Sequence, residues 1–346
     1  MTNFIIFMCL LLVLYSINFS KNKMNFMDKK FTNNLKGLAI VTIVWAHVGG
    51  VLNVQFIQFI AGIGVCIFLI CSGYGMQESY KKKKFDNFWK KRITKIYLPF
   101  CLVELIGMIV FYEFDIKKYL LDISFIQKIT AYSWYMSYII VCYIMFYIWK
   151  KISLKFNISE NKSIIILLIL FASWFIIESL FLVNPLMPFL KARQMLAFPF
   201  GVILSQKRDI VDNILKNKIK KYMWIVILGL FTCGLLFMGI TQLSFIKKLN
   251  YLTQNILSLF TIFPITIAIL AILFYNNRVI DNKFLNVLGK YSYEIYLVHS
   301  FTLKLITTDQ ISLVLFLIIT IIATYLLHVL FERMNRYDRF NSNNFN

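Results

Sequence analysis

Long apolar runs separated by short polar connections dominate the chain. A bilayer core of about 30 Å needs about 20 apolar residues per helix. By that measure the pattern predicts eleven spans, over residues 4–19, 37–53, 57–76, 96–112, 132–149, 163–183, 189–205, 222–242, 251–275, 292–306 and 311–331. No connection between them is long enough to fold as a separate domain. The expectation is a single all-α, polytopic integral membrane protein with a ten-helix core and an extra N-terminal helix. Residues 1–26 are then an N-terminal hydrophobic segment, 27–331 the membrane domain and 332–346 a short cytoplasmic tail.

Composition agrees with that pattern. Of the 346 residues 59% are hydrophobic and 15% charged, whereas globular proteins carry about 45–50% apolar and about 25% charged residues. The surplus belongs in lipid. The formal charge of +21 would suggest nucleic-acid binding in a soluble chain, so the placement of the charges decides. One set of alternate connections holds 29 of the 37 Lys and Arg residues, and the opposite set holds only a handful. Such asymmetry puts the charge-rich side in the cytoplasm of a multi-pass cell-membrane protein, a bacterial plasma-membrane protein by expectation. The basic residues follow topology and form no single face, which argues against nucleic acid. The six cysteines lie within apolar runs and read as small buried hydrophobes. The three histidines never cluster locally, so no metal is expected, although folding can still bring two of them together. The first segment lacks a basic start and is followed by Lys21, Lys23, Lys29 and Lys30, the wrong polarity for a secretory signal. It reads as an uncleaved anchor with its N-terminus outside, and Met24 and Met27 offer later starts that leave ten spans.

Ionisable groups at bilayer depth are costly, so those that remain ask for a function. They are His47, Glu104, Glu178, Lys191, Arg193, Glu294, His299, Lys304 and His328. Lys36 and His47 are eleven residues apart, three helical turns, which places them on one helix face with a rise of about 16 Å. A cation at the cytoplasmic mouth then stands below an imidazole inside the membrane. The alternative is a His47 that donates to a backbone carbonyl and a Lys36 that flanks its span. Arg92 and Lys95, at i and i+3, share a face where the next span enters the membrane, a pair suited to phosphates, although the spacing by itself favours a positive flank. Tyr296 and His299, three apart, put an aromatic hydroxyl beside a second imidazole.

Four stretches in this order resemble the membrane acyltransferase-3 family, which includes bacterial O-acetyltransferases of surface polysaccharides. They are Lys36-Gly37 to His47, Phe68 to Gly75 with its Ser72-Gly73-Tyr74, Arg92 to Pro99, and Ser292 to His299. Ser133-Trp134-Tyr135 and Phe198-Pro199-Phe200-Gly201 look like further family features, and the similarity covers about residues 27 to 331. Two positions depart from the pattern: the family usually has Arg at the position of Lys36 and often at that of Lys95. Lysine keeps the charge but loses the planar fork.

The resemblance implies an acyltransferase that transfers groups other than amino-acyl groups, here an acetyl group from acetyl-CoA. It implies donor phosphates held by Arg92 and Lys95 with help from Lys36, and His47 as general base or transient acyl carrier. Ser72, Tyr74, Tyr296, His299, Arg193 and Glu178 take supporting roles. The acceptor is expected to be a hydroxyl of a glycan or lipid-linked saccharide reached from the outer leaflet, with membrane lipid around the protein. Some relatives carry a C-terminal domain that completes transfer outside the membrane, so a separate extracytoplasmic partner is a further expectation. The competing reading is a transporter or flippase of lipid-linked saccharides, or a polymerase. The halves of the chain show no convincing self-similarity of the kind inverted-repeat transporters show, and the longest outer connection, about 19 residues, is short for a polymerase.

Overall fold

The computed structural model describes residues 25–54, 58–128, 134–181, 190–216, 220–275, 280–307 and 309–343. The expected N-terminal anchor lies outside the described residues. Among those described, all regular structure is helical: α1 (Lys29–Val51), α2 (Phe59–Lys83), α3 (Phe88–Phe111), α4 (Ile116–Ile123), α5 (Trp134–Lys155), α6 (Glu160–Leu180), α7 (Ala197–Gln206), α8 (Arg208–Lys216), α9 (Lys220–Ile240), α10 (Tyr251–Tyr275), α11 (Lys283–Lys290), α12 (Ser292–Thr302) and α13 (Gln310–Asn343). Eight helices are long and apolar enough to cross a membrane, and the protein is an all-α polytopic membrane protein.

The two remaining expected spans, 189–205 and 292–306, are short. Helix α7 has 10 residues and α12 has 11, which at 1.5 Å per residue is about half of a bilayer core. Each is joined to a 3₁₀ turn, Ala192–Gln194 before α7 and Leu303–Leu305 after α12. Two long spans are also irregular. In α10 the bonds tighten at Phe260 and Thr261, just before Pro264, which has no N–H to continue the ladder. In α3 a π-helical turn covers Ile93–Tyr97. The last helix continues to Asn343, so most of the expected tail is helical.

Sequence explains how these helices start and pack. Asp28 caps α1 by accepting from the Phe31 amide at 2.7 Å, and Asn282 caps α11 in the same way. Lys30 reaches Asp281 at 2.7 Å and ties the start of α1 to that of α11. At the centre α2 is the most buried long helix. It crosses α7 so closely that a Cβ on Gly73 would collide with the Phe198 carbonyl, so only glycine fits there. An aromatic nucleus of Phe146, Trp149, Phe171 and Phe198 fills the space between α5, α6 and α7. Outward, Ile109, Val110, Ile165, Leu228, Leu236 and Ile321 are exposed apolar side chains for lipid to cover.

Candidate active site

Two short-range facts build the site. Helix α1 is unbroken from Lys29 to Val51, so Lys36 and His47 do stand on one face. Helix α12 then brings His299, fully buried, to His47: Nδ1 of His47 lies 2.9 Å from Nε2 of His299, and the two rings are within 2° of parallel with centroids 5.1 Å apart.

The backbone fixes the protons on this pair. His299 Nδ1 sits 2.7 Å from the Tyr296 carbonyl and 3.1 Å from the Ile295 carbonyl. Carbonyl oxygens only accept, so Nδ1 carries the hydrogen, and in a neutral ring Nε2 carries the lone pair. That lone pair faces His47, whose Nδ1–H therefore donates. His47 is left with its lone pair on Nε2, the state of a general base. His299 holds the tautomer and ring orientation from behind, the part an aspartate plays in a Ser-His-Asp triad. It lies in the last turn of α12, where the negative end of the helix dipole favours positive charge arriving on the pair. Tyr296 contributes its carbonyl to this chain. Its ring packs 5.5 Å from His299 and 5.1 Å from Tyr135.

The cations gather on the lysine-rich side around the end of α2. Lys36 is partly buried and lies within electrostatic reach of Cys71. Arg92 is partly buried, donates to the Phe88 carbonyl at 2.9 Å and to Met76 Sδ at 2.6 Å, and lies 4.2 Å over the Phe88 ring and 5.9 Å from that of Tyr143. Ser72 Oγ is 3.1 Å from the Tyr143 hydroxyl. On the α2 face shared by Ser72, Met76 and Ser79, Gly75 is exposed, and a Cβ there would meet nothing within 4 Å. Among the described residues no carboxylate lies within ion-pair distance of Lys36 or Arg92. Tyr74 is buried beside this cluster, on the face of α2 toward Arg208.

Lys95 departs from expectation. The π-helical turn between Arg92 and Lys95 takes more residues per turn than an α-helix, so Lys95 lags around the axis. It is exposed while Arg92 is folded inward, and the two do not form the expected shared face.

Away from the lysine-rich side, Glu178 is bound by Lys191 Nζ at 2.8 and 2.9 Å and by the Trp174 indole at 3.3 Å. Arg193 sits in the nearby 3₁₀ turn. Burial, with Lys191 close by, holds the Lys128 ammonium below its ordinary lysine value. Lys304 reaches the Phe111 carbonyl and covers the Tyr112 ring, the snorkelling expected of a long basic side chain. Two residues were not legible as site residues. Tyr143 is one aromatic among many, and no spacing marks it. Asp122 closes on Glu104 because α4 folds back against α3; the signal was the lone Glu104 at depth, which needs a partner.

Comparison with known proteins then decides the family. The acyltransferase-domain model of the acyltransferase-3 family matches residues 29–333. The chain belongs to the acyltransferase-3 family. Comparison with curated proteins and with solved structures gave no match. The match takes in the eight long helices and the short α7 and α12, together with His47, His299, Lys36 and Arg92. The protein is a membrane acyltransferase, and in this acyltransferase-3 chain the histidine pair presents a part-buried imidazole held in a fixed orientation.

Proposed function

We propose that the protein moves an acetyl group from acetyl-CoA, bound from the cytoplasm, to a hydroxyl of a cell-surface or secreted glycan on the other side of the membrane. The observation that carries this reading is the 2.9 Å contact of His47 with His299, with the tautomers set by the Tyr296 and Ile295 carbonyls. The donor side fits an anionic ligand: Lys36 lies near Cys71 and Arg92 reaches Met76, both on α2, with no carboxylate in ion-pair contact with either among the described residues. Donor phosphates at that mouth leave the extended pantetheine arm to climb along α1, and the rise from Lys36 to His47 is about 16 Å.

The chemistry follows from the tautomer. The acceptor hydroxyl gives its proton to His47 Nε2 as its oxygen attacks the thioester carbonyl. The His47 imidazolium keeps its Nδ1–H on His299 Nε2, so the new charge is stabilised where it forms. When the C–S bond breaks, the thiolate takes the proton from Nε2, which yields an ester and a free thiol and restores the neutral pair. Lys36 and Arg92 hold the donor, and Ser72, Tyr74 and Tyr296 line its path.

Deletion of the gene, followed by measurement of ester-linked acetate on purified surface polysaccharides, tests the acceptor class. Loss of acetate restored by the wild-type gene and not by His47→Ala supports the reading. An unchanged acetate profile rejects a surface glycan as acceptor.

A further inference from the structure

A second cavity lies beside the face of α1 that carries Lys36 and His47. The cavity, of about 480 Å³, is walled by α1 (Ile40, Val41, Val44), α11, α12 and α13. Its lining is almost wholly apolar, and its rim includes Val287, Ile321 and Tyr325, which are exposed on the bilayer-facing surface. The cavity therefore opens sideways into lipid. It contains one unmet polar demand: Thr324 lines it and is 5% exposed, and its hydroxyl has no hydrogen-bond partner. A buried hydroxyl without a partner calls for an acceptor from outside the protein. At the lysine-rich end the cavity is bounded by Tyr291, and Lys290 there is exposed with its ammonium 5.0 Å from the Tyr291 ring.

We infer that this cavity binds one acyl chain of an anionic phospholipid from the lysine-rich leaflet, with the phosphate near Lys290 and an ester carbonyl accepting from Thr324. The size suits the ligand. A methylene occupies about the volume of a water molecule, roughly 30 Å³, so the cavity has room for a chain of roughly a dozen or more carbons. Pockets of this size and apolar character with one or two placed polar groups are the usual form of a small-molecule site, and anionic lipids are drawn to basic residues at the membrane surface. The cavity borders the same side of α1 as Lys36 and His47, and it adjoins the histidine pair. Val44 is one turn before His47, Ile295 supplies a carbonyl to His299, and Thr320 is hydrogen-bonded at 2.8 Å to Thr302 of α12.

The test uses the full-length protein in nanodiscs with phosphatidylglycerol carrying a photoactivatable diazirine in one chain, and peptide mapping of the cross-links. Labelling should concentrate on peptides that contain Val41, Val44 and Ile321. It should fall about fivefold in Ile321→Trp, which closes the rim, and two- to threefold in Thr324→Val, which keeps the shape and removes the hydroxyl. A diazirine phosphatidylcholine should label these peptides several-fold less, and Lys290→Gln should narrow that gap. Labelling spread evenly over bilayer-facing helices such as α6 and α9 overturns the inference, as does equal labelling of wild type and both cavity variants. Equal labelling by the two headgroups overturns its anionic part.

Discussion

His47 and His328 are both membrane-embedded histidines, and they meet different partners. His328 presents Nδ1 to Glu294 at 2.7 Å and Nε2 to Glu332 at 3.5 Å. Nδ1 lies in hydrogen-bond contact with the Glu294 carboxylate, Nε2 is buried without a hydrogen-bond partner, and the residue ties α12 to α13. His47 meets another imidazole that is itself committed to two backbone carbonyls. One nitrogen donates and the other keeps its lone pair. The carboxylate contact fastens His328 between two helices, whereas the carbonyl-anchored imidazole of His299 orients His47 with a lone pair on Nε2.

Mutations can break that contrast, beginning with the largest effect. His47→Ala should lower acyl transfer by about 10³-fold or more, with normal membrane insertion and expression; wild-type-level acetylation by that variant would falsify the mechanism. His299→Ala should cost about 10²-fold, because His47 loses the acceptor that fixes its tautomer. His299→Gln, whose amide oxygen can accept from His47 Nδ1–H, should recover about tenfold of this, measured as turnover in purified membranes at saturating donor. If Gln and Ala are equally impaired, His299 acts through packing and not through the hydrogen bond.

Arg92→Gln comes next. It should raise the donor KM about tenfold, in keeping with one lost charge-assisted contact, and leave turnover close to wild type; a fall in turnover at unchanged KM would move Arg92 out of donor binding. His328→Ala should change turnover less than twofold while destabilising the fold by about 3 kcal/mol, because it strands Glu294 in the interior. Thermal unfolding in detergent reads the stability term, and a large activity loss without a shift in Tm would make His328 more than a clamp. Lys95→Gln should be the mildest, under twofold in KM, since the π-helical turn carries Lys95 away from Arg92. A donor KM as impaired as that of Arg92→Gln would contradict this placement.

Much of the fold was legible because lipid imposes a length and a composition on each crossing. The long spans α1, α2, α3, α5, α6, α9, α10 and α13 each hold an apolar stretch long enough to cross a bilayer. The short α7 and α12 were read as full spans because hydropathy reports apolar character and not where a helix turns to 3₁₀. The shared face of Lys36 and His47 was legible because a straight helix repeats every 3.6 residues. The shared face of Arg92 and Lys95 was not, because it presumed the same repeat through a stretch that winds as a π-helix.

The sequence by itself determined a helical membrane protein, the side on which its positive charge collects and the small set of buried ionisable residues worth testing, since all three depend on composition and local periodicity. Only the tertiary structure decided which of those residues meet. His47 and His299 are 252 residues apart in the chain, and no spacing rule reaches that far. Their contact depends on how α1 and α12 pack, and the proton arrangement that makes His47 a base depends on two backbone carbonyls that side-chain identities do not reveal.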